Sequence, residues 1–334
     1  MARETNKARL TPSALAARLK KMRHQAHASA ALMPVALPTP LLERQLLRSA
    51  ADIRARGLAA DHFYAKAAQL VIESCTRMPL VHEATDPYFE LPDDRKPENA
   101  WRFSARLLNI ADSLWALRQI DGFAEMCARL RKMDLRYSAS ELEGARLFQR
   151  AGFAVRFKAP VEKEGQDFDF AATKSGANLN VEVSTVGTTA YRARTVTNVL
   201  KQEYRQLPTG EPGVIVLDIP HAWYENFGPG LSETMAQDAL AVMRNVTRLN
   251  AVIFLSQRYI DMGTHPIRGA YGQLIFGFAI QANVHAQRYV DELRGFIDGT
   301  IAEHLPAVEG QLPEYRLATD FFRWADTFWN ARQS

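Results

Sequence analysis

Between residues 167 and 185 the chain reads DFDFAATKSGANLNVEVST, two short stretches of alternating apolar and polar positions joined by a Ser-Gly pair. Alternation with period two marks a strand with one dry face and one wet face. It predicts Asp167 and Asp169 on one face of the first strand, with Phe168 and Phe170 on the other. In the second strand Leu179, Val181 and Val183 form the apolar face, and Asn180, Glu182 and Ser184 the polar one. A turn over Lys174 to Asn178 folds the two into a hairpin, which lays Asp169 beside Glu182.

Upstream the period becomes helical. SASELEGARLFQRAGF opens with Ser138 and Glu141 in capping-box spacing, carries Leu142, Ala145 and Phe148 at helical intervals, and stops at Gly152. Phe153 to Phe157 then read as a first strand. Glu141 shares a stripe with Ala145 and Phe148, so it belongs at the end of the buried face. Glu141, Asp169 and Glu182 are thereby expected to meet at one end of a small sheet.

Downstream, VGTTAYRARTVTNVLKQEYRQLP places Val196, Val199, Leu200 and Leu207 on one helical face and Arg194, Asn198, Lys201 and Arg205 on another, a basic stripe. GVIVLDIP and AVIFL are apolar enough for strands buried on both faces. The helix LSETMAQDALAVMRNVTRL between them, with Ser232 as N-cap, makes a parallel crossover. LIFGFAI predicts a further strand, and FIDGTIAEHL and YRLATDFFRWADTFWNA predict helices. The last presents Phe321, Phe322, Trp324, Phe328 and Trp329 as a docking face for the chain's own layers. Asp218 and His221 fall at a strand end, where α/β proteins place chemistry.

Toward the N-terminus the pattern is helical without a repeat. PSALAARLKKMRH suggests a short helix with Thr11 as N-cap, and an Ala- and Pro-rich linker follows to residue 40. Helices are expected in LLERQLLRSAADIRARG, ADHFYAKAAQLVIESC, Trp101 to Ile120 and Phe123 to Met133, around a polar loop at 83–98. The organisation expected is a basic arm and linker over 1–40, a helical domain over 41–136, and an α/β domain over 137–334.

The chain has 334 residues, 47% of them hydrophobic, which suits a globular protein large enough for two domains. Two cysteines, Cys75 and Cys127, provide neither a disulfide framework nor a metal cluster. With no apolar run of membrane-spanning length and no secretory leader, the expected place is the cytoplasm, away from membranes. Charge is uneven. Up to Arg56 there are 11 Lys and Arg against 3 acids, whereas the rest carries 30 bases and 34 acids. The cluster Arg18, Lys20, Lys21 and Arg23 reads either as a phosphate-binding arm or as a solvated tail.

The order of helix with Glu141, strand after Gly152, strand with Asp169 and strand with Glu182 resembles the PD-(D/E)XK, or restriction-endonuclease-like, nuclease superfamily over residues 138 to about 185. That resemblance implies a mixed sheet flanked by helices. Asp169 stands for the family Asp, Glu182 for the Glu of its Glu-x-Lys, and Glu141 for the helix acid. Ser184 occupies the position of the lysine. Some members use a displaced lysine on the following helix, which makes Lys201 the candidate here, with Arg194 behind it.

The implied function is a Mg²⁺- or Mn²⁺-dependent nuclease acting on DNA before RNA. The ion would be held by Asp169, Glu182 and the carbonyl of Val183, hard oxygen donors that suit it. Arg18, Lys20, Lys21, Arg23, Arg194 and Arg205 would meet phosphates. The alternative is a nuclease-like fold that binds nucleic acid or a partner protein, as in a defence or DNA-processing assembly, without cutting. Homo-oligomers suit either case. The chain contains no Gly-rich phosphate loop, HExxH motif or Ser nucleophile elbow that would suggest another enzyme class.

Overall fold

The computed structural model describes residues 36–77, 100–132, 135–159, 165–220, 222–228, 230–265, 269–294 and 320–331. Arg18, Lys20, Lys21 and Arg23, His221 and the helix expected in FIDGTIAEHL lie outside the described residues.

Among the described residues five helices precede the first strand, of which the first four are α1 (Pro40–Ala55), α2 (Ala60–Thr76), α3 (Ala100–Leu117) and α4 (Phe123–Lys132). α1 begins where Thr39 accepts the Leu42 N–H at 3.1 Å, with Pro40 in the first turn. It buries Leu42, Leu46, Ala50 and Ile53 at helical spacing.

The next helix, α5 (Leu135–Arg150), begins before Ser138, so Ser138 and Glu141 are interior residues rather than a capping box. It is wedged between sheet and helices and is buried from Ser138 to Phe148. Two of its charged side chains are paired with α3. Glu143 accepts from Asn109 and Ser113, each at 2.7 Å, and Arg146 pairs with Asp112. On the sheet side Gly144 permits close approach: a Cβ there would lie 3.2 Å from Val183 Cγ2. Glu141, one turn earlier, is thereby held over the end of the hairpin.

The sheet has six strands in sequential order: β1 (Ala154–Phe157), β2 (Phe170–Lys174), β3 (Ala177–Thr185), β4 (Gly213–Ile219), β5 (Leu249–His265) and β6 (Gly269–Ala282). β1–β2, β2–β3 and β5–β6 are antiparallel, while β3–β4 and β4–β5 are parallel. The hairpin turns at Ser175 and Gly176, whose φ values of 52° and 84° suit a tight turn matched to strand twist. The parallel pairs are bridged by α6 (Ala193–Glu203) and by α7 (Ala222–Phe227) with α8 (Leu231–Met243). α8 starts after Gly230, which places Ser232 inside the first turn rather than at the N-cap.

β4 is buried throughout, and its alternate residues serve two cores. Val214 and Val216 join Phe170, Leu179, Val181 and the apolar faces of α1 to α5, whereas Ile215 and Leu217 face α6 and α8. The first cluster is continuous from α1 into the sheet, across the expected boundary at 136. A final helix, α9 (Asp320–Trp329), seals it. Phe321 and Phe322 are buried, and Trp324 stacks on Trp115 with ring centroids 4.0 Å apart. Among the described residues no helix is long and apolar enough to cross a membrane.

Candidate active site

The pairing of Phe170 with Val181 and the Asp169 N–H to Val181 carbonyl bond of 3.1 Å set Asp169 opposite Glu182, as the alternation predicts. Beyond that point the alternation fails. β2 starts only at Phe170, the chain bends at Asp169, and Phe168 packs in the α6 core while Phe170 packs in the other. The expectation that the two phenylalanines share a face is therefore corrected. The bend leaves Val183 past the last β2 pair, and Asp169 Oδ2 takes the place of a strand carbonyl by accepting the Val183 N–H at 2.8 Å. The Asp169 carbonyl accepts the Lys158 N–H at 2.9 Å.

Glu141 reaches the same corner from α5 and is in hydrogen-bond contact with Asp169. A residue that the spacing argument did not single out holds it there. Arg129 of α4 sets its Nε 2.8 Å from Glu141 Oε2, donates from Nη1 to the Lys158 carbonyl at 2.5 Å and from Nη2 to the Asp169 carbonyl at 3.4 Å. Its guanidinium lies 5.6 Å from the centroid of the Phe157 ring. The Arg129–Glu141 pair is almost wholly buried.

On the far side of Glu182 stands a second unexpected group, Glu203 of α6. It hydrogen-bonds Glu182 and accepts from Ser184 Oγ at 3.0 Å. Its position was legible: Val196 and Leu200 are the buried residues of α6, and Glu203 follows them at i+7 and i+3 on the same stripe. Lys201 sits off that stripe and is exposed, as are Arg194 and Arg205. The group that α6 brings to the carboxylates is an acid, not the expected lysine.

Crowding raises the proton affinity of the whole cluster. Asp169 is pushed well above the carboxylate range, first by burial and then by the negative charge of Glu141, against the pull of Arg129 and the Val183 N–H. Glu182 is pushed well up by burial and then by Asp169, Glu203 and Glu141. Burial also raises Glu141 and Glu203, opposed in the first by Arg129 and in the second by bonds from Ser184 and Glu182. Glu182 is 8% exposed, and its Oε2 is buried without a hydrogen-bond partner.

A second polar group adjoins this one. Ser140, next to Glu141, donates to Asp218 Oδ2 at 2.6 Å and lies 3.0 Å from Thr185 Oγ1. Burial raises Asp218 to about 6, opposed by Ser140 and Arg136. Asp218 thus fastens α5 to the ends of β3 and β4.

Asp169 and Glu182 offer adjacent hard oxygens, and the orphaned Oε2 of Glu182 suits a cation. The register turns the Val183 carbonyl to the same side, past the end of β2. These residues fit a divalent ion. As they stand the carboxylates hydrogen-bond one another, and among the described residues no three His, Cys, Asp or Glu side chains are already grouped around one point. No protein-family model matches the chain, and no curated protein or solved structure matches it.

Proposed function

We propose that the chain is a divalent-cation-dependent nuclease of restriction-endonuclease-like fold that hydrolyses phosphodiester bonds of nucleic acid, DNA in preference to RNA. The observation that carries this reading is the placement of Asp169 opposite Glu182 at the end of β2 and β3, with the Val183 backbone between them and Glu141 brought in from α5. Asp169, Glu182 and the Val183 carbonyl would hold Mg²⁺ or Mn²⁺. The bound ion would supply charge neutralisation at phosphate and an activated water.

The chain's own residues prepare that corner. The Val183 N–H orients the Asp169 carboxylate, Arg129 fixes Glu141 and the Asp169 backbone, and burial excludes bulk water, so fixed charges act strongly there. Arg194 and Lys201, exposed on α6, and Arg205, exposed just beyond its end, would attract a polyanion.

A second reading is a nuclease-like module that binds nucleic acid or a partner protein without cutting. It is favoured by one observation: Ser184, in the lysine position of the resembled family, meets Glu203 instead of a cation.

Incubation of purified protein with plasmid, single-stranded DNA and RNA, in Mg²⁺ or Mn²⁺ and in EDTA, separates the two. Metal-dependent cleavage that Asp169→Asn abolishes supports the nuclease. Salt-dependent binding without cleavage supports the module, and the absence of both refutes both.

A further inference from the structure

The loop from β3 to α6, residues 186–192, leaves the sheet at the C-terminal ends of the parallel strands, the end at which open α/β sheets take up ligands. The Val186 N–H donates to the Asp218 carbonyl at 2.8 Å, Trp223 Nε1 to the Thr188 carbonyl at 2.6 Å and Asn226 Nδ2 to the Thr189 carbonyl at 3.3 Å, so the loop is held along its length. Tyr191, fixed by its hydroxyl on Asp238, meets the rings of Trp223 and Phe227 nearly edge-on, each at a centroid separation of 5.3 Å. Trp223 is fully buried and closes the base of the group, whereas Phe227 is 44% exposed. These rings lie on the same side of the sheet as Glu182, whose cross-strand partner Ile215 belongs to the core that Trp223 and Tyr191 join.

The charge beside the rings suits an anion. Arg192 and Arg194 follow Tyr191, are exposed, and make no side-chain hydrogen bond or ion pair among the described residues. Against them α7 carries one acid, Glu225, and Asp238 is taken up by the Tyr191 hydroxyl. Arg194 stands about 14 Å from Glu203 along α6, the reach of a short stretch of single strand from the rim to the carboxylates.

We propose that Tyr191 and Phe227 form a stacking face for an unpaired nucleobase, with Arg192 and Arg194 on the flanking phosphates, so that single-stranded nucleic acid is the form this chain takes up. A ring can receive a base only when that base is free of its own stack, which a single strand permits and a duplex resists. A protein segment would also cover an aromatic ring, but two unpaired arginines beside it are matched by a polyanion. The proposal rests on reading the carboxylate corner as a nucleic-acid site and specifies the form of its substrate.

Equilibrium binding of the full chain, in EDTA, to a fluorescently labelled oligothymidylate and to a duplex of equal length tests it. Phe227→Ala is expected to weaken single-strand binding at least about fivefold and duplex binding less than about twofold, whereas Phe227→Trp retains both. Unchanged single-strand affinity in a folded Phe227→Ala variant overturns the proposal, as do equal losses on the two probes. Loss of a self-associated form in that variant, with single-strand binding intact, assigns the ring to a second copy and also overturns it. Should the variant fail to fold, photo-crosslinking of the wild type to an oligonucleotide carrying 5-iododeoxyuridine decides. Adducts at Tyr191 or Phe227 support the proposal, and adducts confined to other residues defeat it. The two readings fail separately. Phe227-dependent single-strand binding without metal-dependent cleavage leaves the stacking face standing and the nuclease refuted. Metal-dependent cleavage with undiminished single-strand affinity in Phe227→Ala does the reverse.

Discussion

Ser184 Oγ donates to Glu203 Oε1 at 3.0 Å, joining the last residues of β3 to the last turn of α6. The contact replaces a positive charge by a neutral donor at the place where a phosphoryl-transfer site of the resembled type needs a cation. Ser184→Lys would bring an ammonium to Glu203 and Glu182, whose proton affinity burial has raised, and would favour their charged forms. The variant is expected to fold, to gain an ion pair with Glu203, and to raise cleavage, or create it, by up to about 10² to 10³-fold. A plasmid-nicking time course checks this, and a variant that binds DNA as before and cuts no faster counts against a catalytic need for charge there.

Arg129 and Glu141 form a buried ion pair, so removing one partner strands the other. Arg129→Met is expected to cost about 3 to 5 kcal/mol, because Glu141 is left without its compensating charge. Arg129→Met combined with Glu141→Gln should recover much of that loss. Urea midpoints for the two single variants and the double give the coupling energy, and additive losses would show that the pair does not act as a unit.

Asp218 gives the pH dependence a definite sign. Its folded pKa of about 6 lies above the ordinary value of 3.8, so the folded state binds the proton more tightly than the unfolded state does. The stability this contributes is fully present below about pH 4, is lost as pH rises through about 6, and amounts to roughly 3 kcal/mol across that window. In Asp218→Asn the Ser140 bond can persist while the titration is removed. Denaturation at pH 5 and pH 8 should therefore show the gap between variant and wild type shifting in the variant's favour at the higher pH. A constant gap would mean that Asp218 ionises freely in the fold.

Arg194 and Lys201 on α6 and Arg205 just beyond it are exposed, and none of them is on the buried Val196–Leu200 stripe that carries Glu203. Replacing all three by Ala should weaken nucleic-acid binding and flatten its salt dependence by about 0.9 in the log–log slope for each phosphate that is no longer neutralised. Lys201→Ala alone should leave the cleavage step nearly intact. Loss of cleavage with unaltered binding in that variant would restore Lys201 as the missing cation.

The sequence alone determined the hairpin and its acid pair. Period-two alternation and a short turn are local properties, and together they fix which residues face each other across two strands, hence Asp169 beside Glu182. Helical spacing likewise carried Glu141 to the buried side of α5, although the helix begins earlier than its capping signal implied. The parallel crossover between β4 and β5 followed from apolar runs separated by a helix. Tertiary structure decided the rest. Arg129 meets Glu141 because α4 packs beside α5 and β1, and nothing in the local pattern of a short amphipathic helix says which carboxylate its arginine will face. The bend that sends Phe168 to the opposite core from Phe170 comes from where β2 stops pairing, which the alternation continues past without a mark. Glu203 lay on the visible stripe of Val196 and Leu200, yet its place at the site depended on how far α6 slides along β3. Spacing fixes the rotation of a helix about its axis, whereas its position along that axis is set only by the side chains it packs against.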